Sequence, residues 1–84
     1  MSTEPLVLAV DDEAGILRLM KLELSAQGFR VITAGGGDEA MKLAEENRPD
    51  IVLLDILMPD ITGLELMRRM RERWSVPIVL VTAK

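Results

Sequence analysis

Short β-rich runs recur along the chain at regular intervals: LVLAV at residues 6–10, FRVITA at 29–34, IVLLD at 51–55 and VPIVLVTA at 76–83. Each is separated from the next by a segment long enough for one helix and two tight turns. That rhythm leaves little choice of fold. Strands alternating with helices through short links form right-handed crossovers, and hence a parallel sheet. LVLAV and IVLLD have no polar alternation, so they predict strands covered on both faces, as happens when helices lie on either side of a sheet. FRVITA alternates and predicts a less deeply buried strand.

The intervening segments carry helical spacing. In residues 14–27, Ile16, Met20 and Leu24 fall on one stripe with Leu17 beside it, and Gly28 supplies a stop, while Leu19 and Leu22 lie outside the stripe. GGGDEAMKLAEENRP at 35–49 reads as a loop followed by a helix that must end before Pro49. Its three glycines lack the G-x-G-x-x-G spacing and the following Lys of a phosphate loop, so they read as a flexible turn from strand to helix. Gly63 precedes LELMRRMRERW, in which Leu66, Met67 and Met70 form the apolar stripe and the arginines of residues 68–73 read as a solvated face.

With 84 residues there is room for one small domain, in the size range where a single core is marginal. Aromatic residues are only 2% of the chain, so Leu, Ile, Val, Met and Ala must make that core. Fourteen acids against ten bases give a net charge of −4, and one Trp and one Phe offer little on which bases could stack, which argues against direct binding of nucleic acid. Cys and His are both absent, which removes disulfides, thiolate metal sites and the commonest general base. Chemistry is left to carboxylates, hydroxyls, Lys and Arg. The opening MSTEPLVLAVDDE has neither a basic region nor an apolar run of membrane length, so a cytoplasmic location is expected by default.

The working edge of such a sheet is at the carboxyl ends of its strands. There the sequence places Asp11 and Asp12 after the first strand, Asp55 at the end of the third and Thr82 at the end of the fourth. Three converging carboxylates repel one another, so unless a cation is present at least one is expected to take up a proton or turn away. A donor set of oxygens alone favours Mg2+, which keeps several waters and readily bridges to phosphoryl oxygens. Such an ion would let an ionised carboxylate approach phosphorus, making Asp55 a candidate nucleophile.

VDDE at 10–13, DILMPDITG at 55–63 and PIVLVTA at 77–83 together resemble the receiver domain of two-component response regulators, over nearly the whole chain and in the expected order. The resemblance implies a flavodoxin-like (CheY-like) three-layer fold with strand order 2-1-3-4-5 when complete. It also implies Mg2+-dependent phosphoryl transfer from a sensor histidine kinase. By that resemblance Asp55 is the phosphoacceptor, and Asp11, Asp12, Asp55 and the backbone carbonyl of Leu57 hold the metal, Asp12 directly and Asp11 largely through water. Thr82 contacts the phosphoryl group and carries the switch. Met58, Pro59 and Gly63 shape the loop after the acceptor, and the side chains of Leu57 and Lys84 stand where such proteins tune phosphoryl lifetime.

The sequence departs from the family pattern in one respect: a receiver has a fifth strand ending in a Lys that pairs with the phosphoryl group, and Lys84, directly after the fourth strand, is not that residue. Residues 1–84 are therefore expected to form an incomplete receiver of strand order 2-1-3-4, lacking the fifth strand and last two helices, as a fragment or a naturally short protein. Phosphoryl transfer is expected to be slower than in a complete domain. The alternative is an impaired interaction or dimerisation module, pairing as a homodimer through the exposed fourth strand. A phosphohydrolase with an aspartyl nucleophile is disfavoured, since a haloacid-dehalogenase-like site needs D-x-D where this chain has DDE.

Overall fold

A computed structural model describes residues 4–81. Four parallel strands, β1 (Leu6–Val10), β2 (Arg30–Ala34), β3 (Ile51–Asp55) and β4 (Ile78–Val81), alternate with three helices, α1 (Ala14–Ala26), α2 (Gly37–Asn47) and α3 (Gly63–Arg71). The sheet order is β2-β1-β3-β4, so the chain reverses direction of winding after β2 and β1 and β3 lie side by side at the centre. Register pairs Val10 with Ala34 on one side and with Leu54 on the other, which brings the carboxyl ends of β1 and β3 together.

Pleating divides the strand residues between two cores. Leu8, Val10, Ala34, Val52 and Leu54 face α2 and α3 and pack with Ala40, Ala44, Leu66 and Met70. Val7, Ala9 and Val31 face α1 and pack around Leu17, Met20 and Leu24. All five residues of β1 are buried, as two-sided cover requires. Leu8, Leu54, Leu66 and Met70 have no exposed surface, and each contributes about 2 kcal/mol by leaving water. The small Ala40 and Ala44 let α2 approach the sheet closely. The anchor of α1 is Leu17, with Met20 and Leu24 following on its face; Ile16, expected on the stripe, is half-buried at its margin.

The helix ends follow their local chemistry. After α1, Gly28 has φ 95, its N–H bonds the Ser25 carbonyl at 3.1 Å and the Phe29 N–H bonds that of Leu24 at 3.1 Å, a glycine-centred stop that feeds directly into β2. Arg48 ends α2 in the left-handed region with φ 51, and the helix does stop before Pro49. α3 is capped by Thr62, whose Oγ1 accepts from the Glu65 N–H at 3.1 Å. Glu65, Arg68, Arg69 and Glu72 form an exposed network on its outer face, the solvated reading of the arginine run. The Arg68 guanidinium hydrogen-bonded to Glu65 holds that carboxyl below its ordinary range. No helix among the described residues is long and apolar enough to cross a membrane.

Candidate metal centre

Asp11 directly follows β1 and Asp55 ends β3 because each apolar run stops where the sheet meets solvent, and the pairing of β1 with β3 sets the two ends side by side. Asp11, Asp12 and Asp55 each offer a carboxylate oxygen, and these oxygens lie within 4.8 Å of one another. That span is close to the ~4.2 Å across an octahedral Mg2+ shell with bonds near ~2.1 Å. Asp11 and Asp55 are 5% and 4% exposed, whereas Asp12 faces solvent, so the cluster has a protein floor and an open side for water ligands. An all-oxygen donor set of this shape fits a hard, partly hydrated divalent ion and offers nothing to a softer one.

Backbone contacts fix the carboxylates. Asp11 donates its N–H to the Ala34 carbonyl at 3.2 Å and accepts the Glu13 N–H on Oδ1 at 2.9 Å, which turns the chain from β1 into α1. Asp55 Oδ1 faces the Leu57 N–H at 3.4 Å. The segment after Asp55 leaves the sheet through the Ile56 N–H bond to the Val81 carbonyl, at 3.1 Å, and is closed by the Gly63 N–H bond to the Ile56 carbonyl, at 2.9 Å. Gly63 is required there for space. A Cβ on it would collide with the Asp55 carbonyl oxygen and stand 2.9 Å from Ile56 Cα. Within this loop Met58 is buried in the core, while Leu57 is 62% exposed, its side chain pointing away from the protein. Thr82 and Lys84 lie outside the described residues.

One residue of this neighbourhood was not evident in the sequence. Asp60 Oδ2 accepts the Gly37 N–H, at 3.0 Å, from the first turn of α2, and Oδ1 accepts the N–H of Ile61 at 2.9 Å. The partner is 23 residues away, so no local pattern signals it. At the opposite end of the sheet, a groove of about 430 Å3 runs between residues that precede β3 and β4, including Arg48, Asp50, Trp74 and Pro77. Arg73 stacks on Trp74 there, 4.7 Å from the ring centre, and pairs with Glu45 at 2.9 Å. It is remote from the acids and shares none of their residues.

Known proteins share this fold and sequence pattern. The response regulator receiver domain family matches residues 7–84. The transcriptional regulatory protein AfsQ1 of Streptomyces coelicolor is 41% identical over 80 residues, covering 95% of this chain and 36% of AfsQ1. The alkaline phosphatase synthesis transcriptional regulatory protein PhoP of Bacillus subtilis is 40% identical over 79 residues, covering 93% and 33%. The chain thus spans about a third of the length of the curated relatives it matches. Among solved structures, the response regulator TrrA of Thermotoga maritima in complex with Mg2+ and BeF superposes with a TM-score of 0.90 at 41% identity, covering 95% of this chain and 70% of that one. A complex of the histidine kinase ThkA with TrrA superposes with a TM-score of 0.88 at 41% identity, covering 94% and 69%.

Proposed function

The chain belongs to the response regulator receiver domain family, and from that premise we propose that Asp55 accepts a phosphoryl group from a sensor histidine kinase in a Mg2+-dependent transfer. The observation that carries this reading is the meeting of the Asp11, Asp12 and Asp55 carboxylates within 4.8 Å at the carboxyl ends of β1 and β3. Asp12, exposed on the open side, would ligate the ion directly, Asp11 would hold its waters, and Asp55 and the Leu57 carbonyl would complete the protein ligands. When bound, Mg2+ supplies the positive charge that lets two anions, carboxylate and phosphoryl donor, come into contact.

An Asp55 oxygen forms the new O–P bond as the P–N bond to the kinase histidine breaks, the nitrogen retaining the electron pair. Asp55 is buried and its Oδ1 faces the Leu57 N–H, so it is held in place and positioning and charge carry the reaction. Thr82 donates its hydroxyl to a phosphoryl oxygen and couples the modified state to its surroundings. The chain is in this sense a substrate that assists its own modification, acting in the cytoplasm within a phosphorelay, with no nucleic acid bound by this domain itself. The TrrA structures, one with Mg2+ and BeF and one with a histidine kinase, support both the ion and the partner by analogy. A second reading is that two copies pair through β4, the edge of the described sheet, whose Val79 is 46% exposed on a strand without charge.

Thermal unfolding with and without Mg2+ tests the site. At a metal concentration ten times Kd, binding to the folded state stabilises it by about 1.4 kcal/mol, a rise of about 6–11 °C in Tm for a domain of this size. Asp12→Ala should abolish the rise. An equal rise in Asp12→Ala, or none in the unmodified chain, contradicts the proposal.

A further inference from the structure

The glycine run at residues 35–37, expected to be a flexible turn, is a contact surface. Gly36, the residue before α2, has an extended backbone and no side chain with which to cap the helix. The acceptor for the Gly37 N–H comes instead from Asp60, in the segment that follows Asp55. Space enforces the same contact. A Cβ on Gly37 would stand 2.5 Å from Ile61 Cγ2, and one on Gly36 would stand 3.0 Å from Asp60 Oδ2. The loop therefore lies directly on the start of α2, and a side chain at Gly37 would push Ile61 aside while one at Gly36 would crowd the Asp60 carboxylate.

We propose that the Asp60 carboxylate and the side-chain-free backbone of Gly36–Gly37 form a clamp that positions the loop after Asp55, making Asp60 a positioning residue for metal binding and phosphoryl transfer. This rests on the metal reading of the acid cluster given above. The loop is secured at its ends by the backbone bonds of Ile56 and Gly63 and in its interior by buried Met58. Between Met58 and the Thr62 cap, the bond from Gly37 ties it to another element. Leu57, whose carbonyl is the proposed backbone ligand, immediately precedes the tied stretch, so slack at Asp60 reaches the ligand through Met58 and Pro59. The negative charge of Asp60 also suits the positive end of α2, next to Asp38 and Glu39 of its first turn. Clamping asks only for an acceptor oxygen, whereas an electrostatic role toward the cation would ask for the charge.

The test compares Asp60→Ala, Asp60→Asn and Gly37→Ala with the unmodified chain, all well below their unfolding temperatures. Mg2+ titration is followed by backbone amide chemical shifts, and hydrogen exchange at Leu57 and Gly63 is measured without metal. Outer-shell losses typically weaken metal binding by about 10- to 100-fold, and a loop contact belongs at the lower end, so Asp60→Ala should bind Mg2+ about tenfold more weakly. Asp60→Asn keeps an acceptor oxygen and should stay within about twofold of the unmodified chain. Gly37→Ala displaces Ile61 with Asp60 intact and should weaken binding as Asp60→Ala does. Exchange at Leu57 and Gly63 should quicken at least about fivefold in Asp60→Ala, the worth of one lost hydrogen bond.

Unchanged affinity in folded Asp60→Ala and Gly37→Ala overturns the clamp while leaving the metal site standing. Asp60→Asn as weak as Asp60→Ala overturns it in favour of charge. If one variant fails to fold, the other decides, and failure of both overturns a positioning role in favour of a purely structural one. If the unmodified chain ignores Mg2+, the functional reading falls, and hydrogen exchange alone then decides whether the clamp holds the loop.

Discussion

Replacing Gly63 by alanine sets two opposed effects against each other at the first residue of α3. Alanine is the better helix former and restricts the unfolded chain, which favours the variant by up to about 1 kcal/mol. Against this, the new Cβ would overlap the Asp55 carbonyl oxygen and stand 2.9 Å from Ile56 Cα and 3.0 Å from the Asp55 carbonyl carbon. All three are backbone atoms, so no side-chain rotation relieves the overlap. The start of α3 would have to withdraw by roughly 1 Å, stretching the Gly63–Ile56 bond; overpacking of this kind costs about 3 kcal/mol at the upper end of its usual range. The net expectation is a loss of about 2 kcal/mol, and with a urea slope near 1 kcal/mol/M the unfolding midpoint falls by about 2 M. Because the strain falls on the peptide bearing Asp55, Mg2+ affinity should also fall in the molecules that remain folded. Urea unfolding followed by circular dichroism measures the first effect and metal titration the second. An unchanged or higher midpoint would mean that helix propensity wins, and would refute the close-approach argument.

Met70→Ala empties a fully buried site between α3 and the sheet and should cost about 3 kcal/mol, measured by the same unfolding experiment. Thr62→Ala removes the hydroxyl that accepts the Glu65 N–H and should cost about 1 kcal/mol, with Thr62→Ser recovering most of it. Val79→Lys places a charge in the middle of β4 and should shift the 84-residue polypeptide toward monomer in gel filtration coupled to light scattering; a concentrated, well-folded monomer before mutation would contradict pairing through this edge.

The sheet was legible because its central strands are written as uninterrupted apolar runs: LVLAV and IVLLD form β1 and β3 with the expected ends, and the acids that stop them meet across the pairing of the two strands. Parallel pairing followed from connection length and handedness, whereas the strand order followed only from the resemblance to the receiver family. Helix faces were less well determined. Ile16, Met20 and Leu24 share one stripe as well as Leu17, Met20 and Leu24 do, and only the packing against Val7, Ala9 and Val31 of the sheet makes Leu17 the anchor. The glycine run could not be understood locally, since its reason is the proximity of Asp60 and Ile61, brought in by the tertiary fold. Gly63, by contrast, was read as shaping the loop, and its crowding against Asp55 gives that expectation a steric cause.

The central claim is that Asp55 accepts the phosphoryl group with the help of Mg2+ held by its acidic neighbours. Incubation with acetyl phosphate and Mg2+, followed by intact-mass measurement at acidic pH and peptide mapping, tests it most directly. The account predicts one phosphoryl adduct on Asp55, absent in Asp55→Asn and strongly reduced when the metal is chelated. An adduct that persists in Asp55→Asn, or forms equally without the metal, would contradict it.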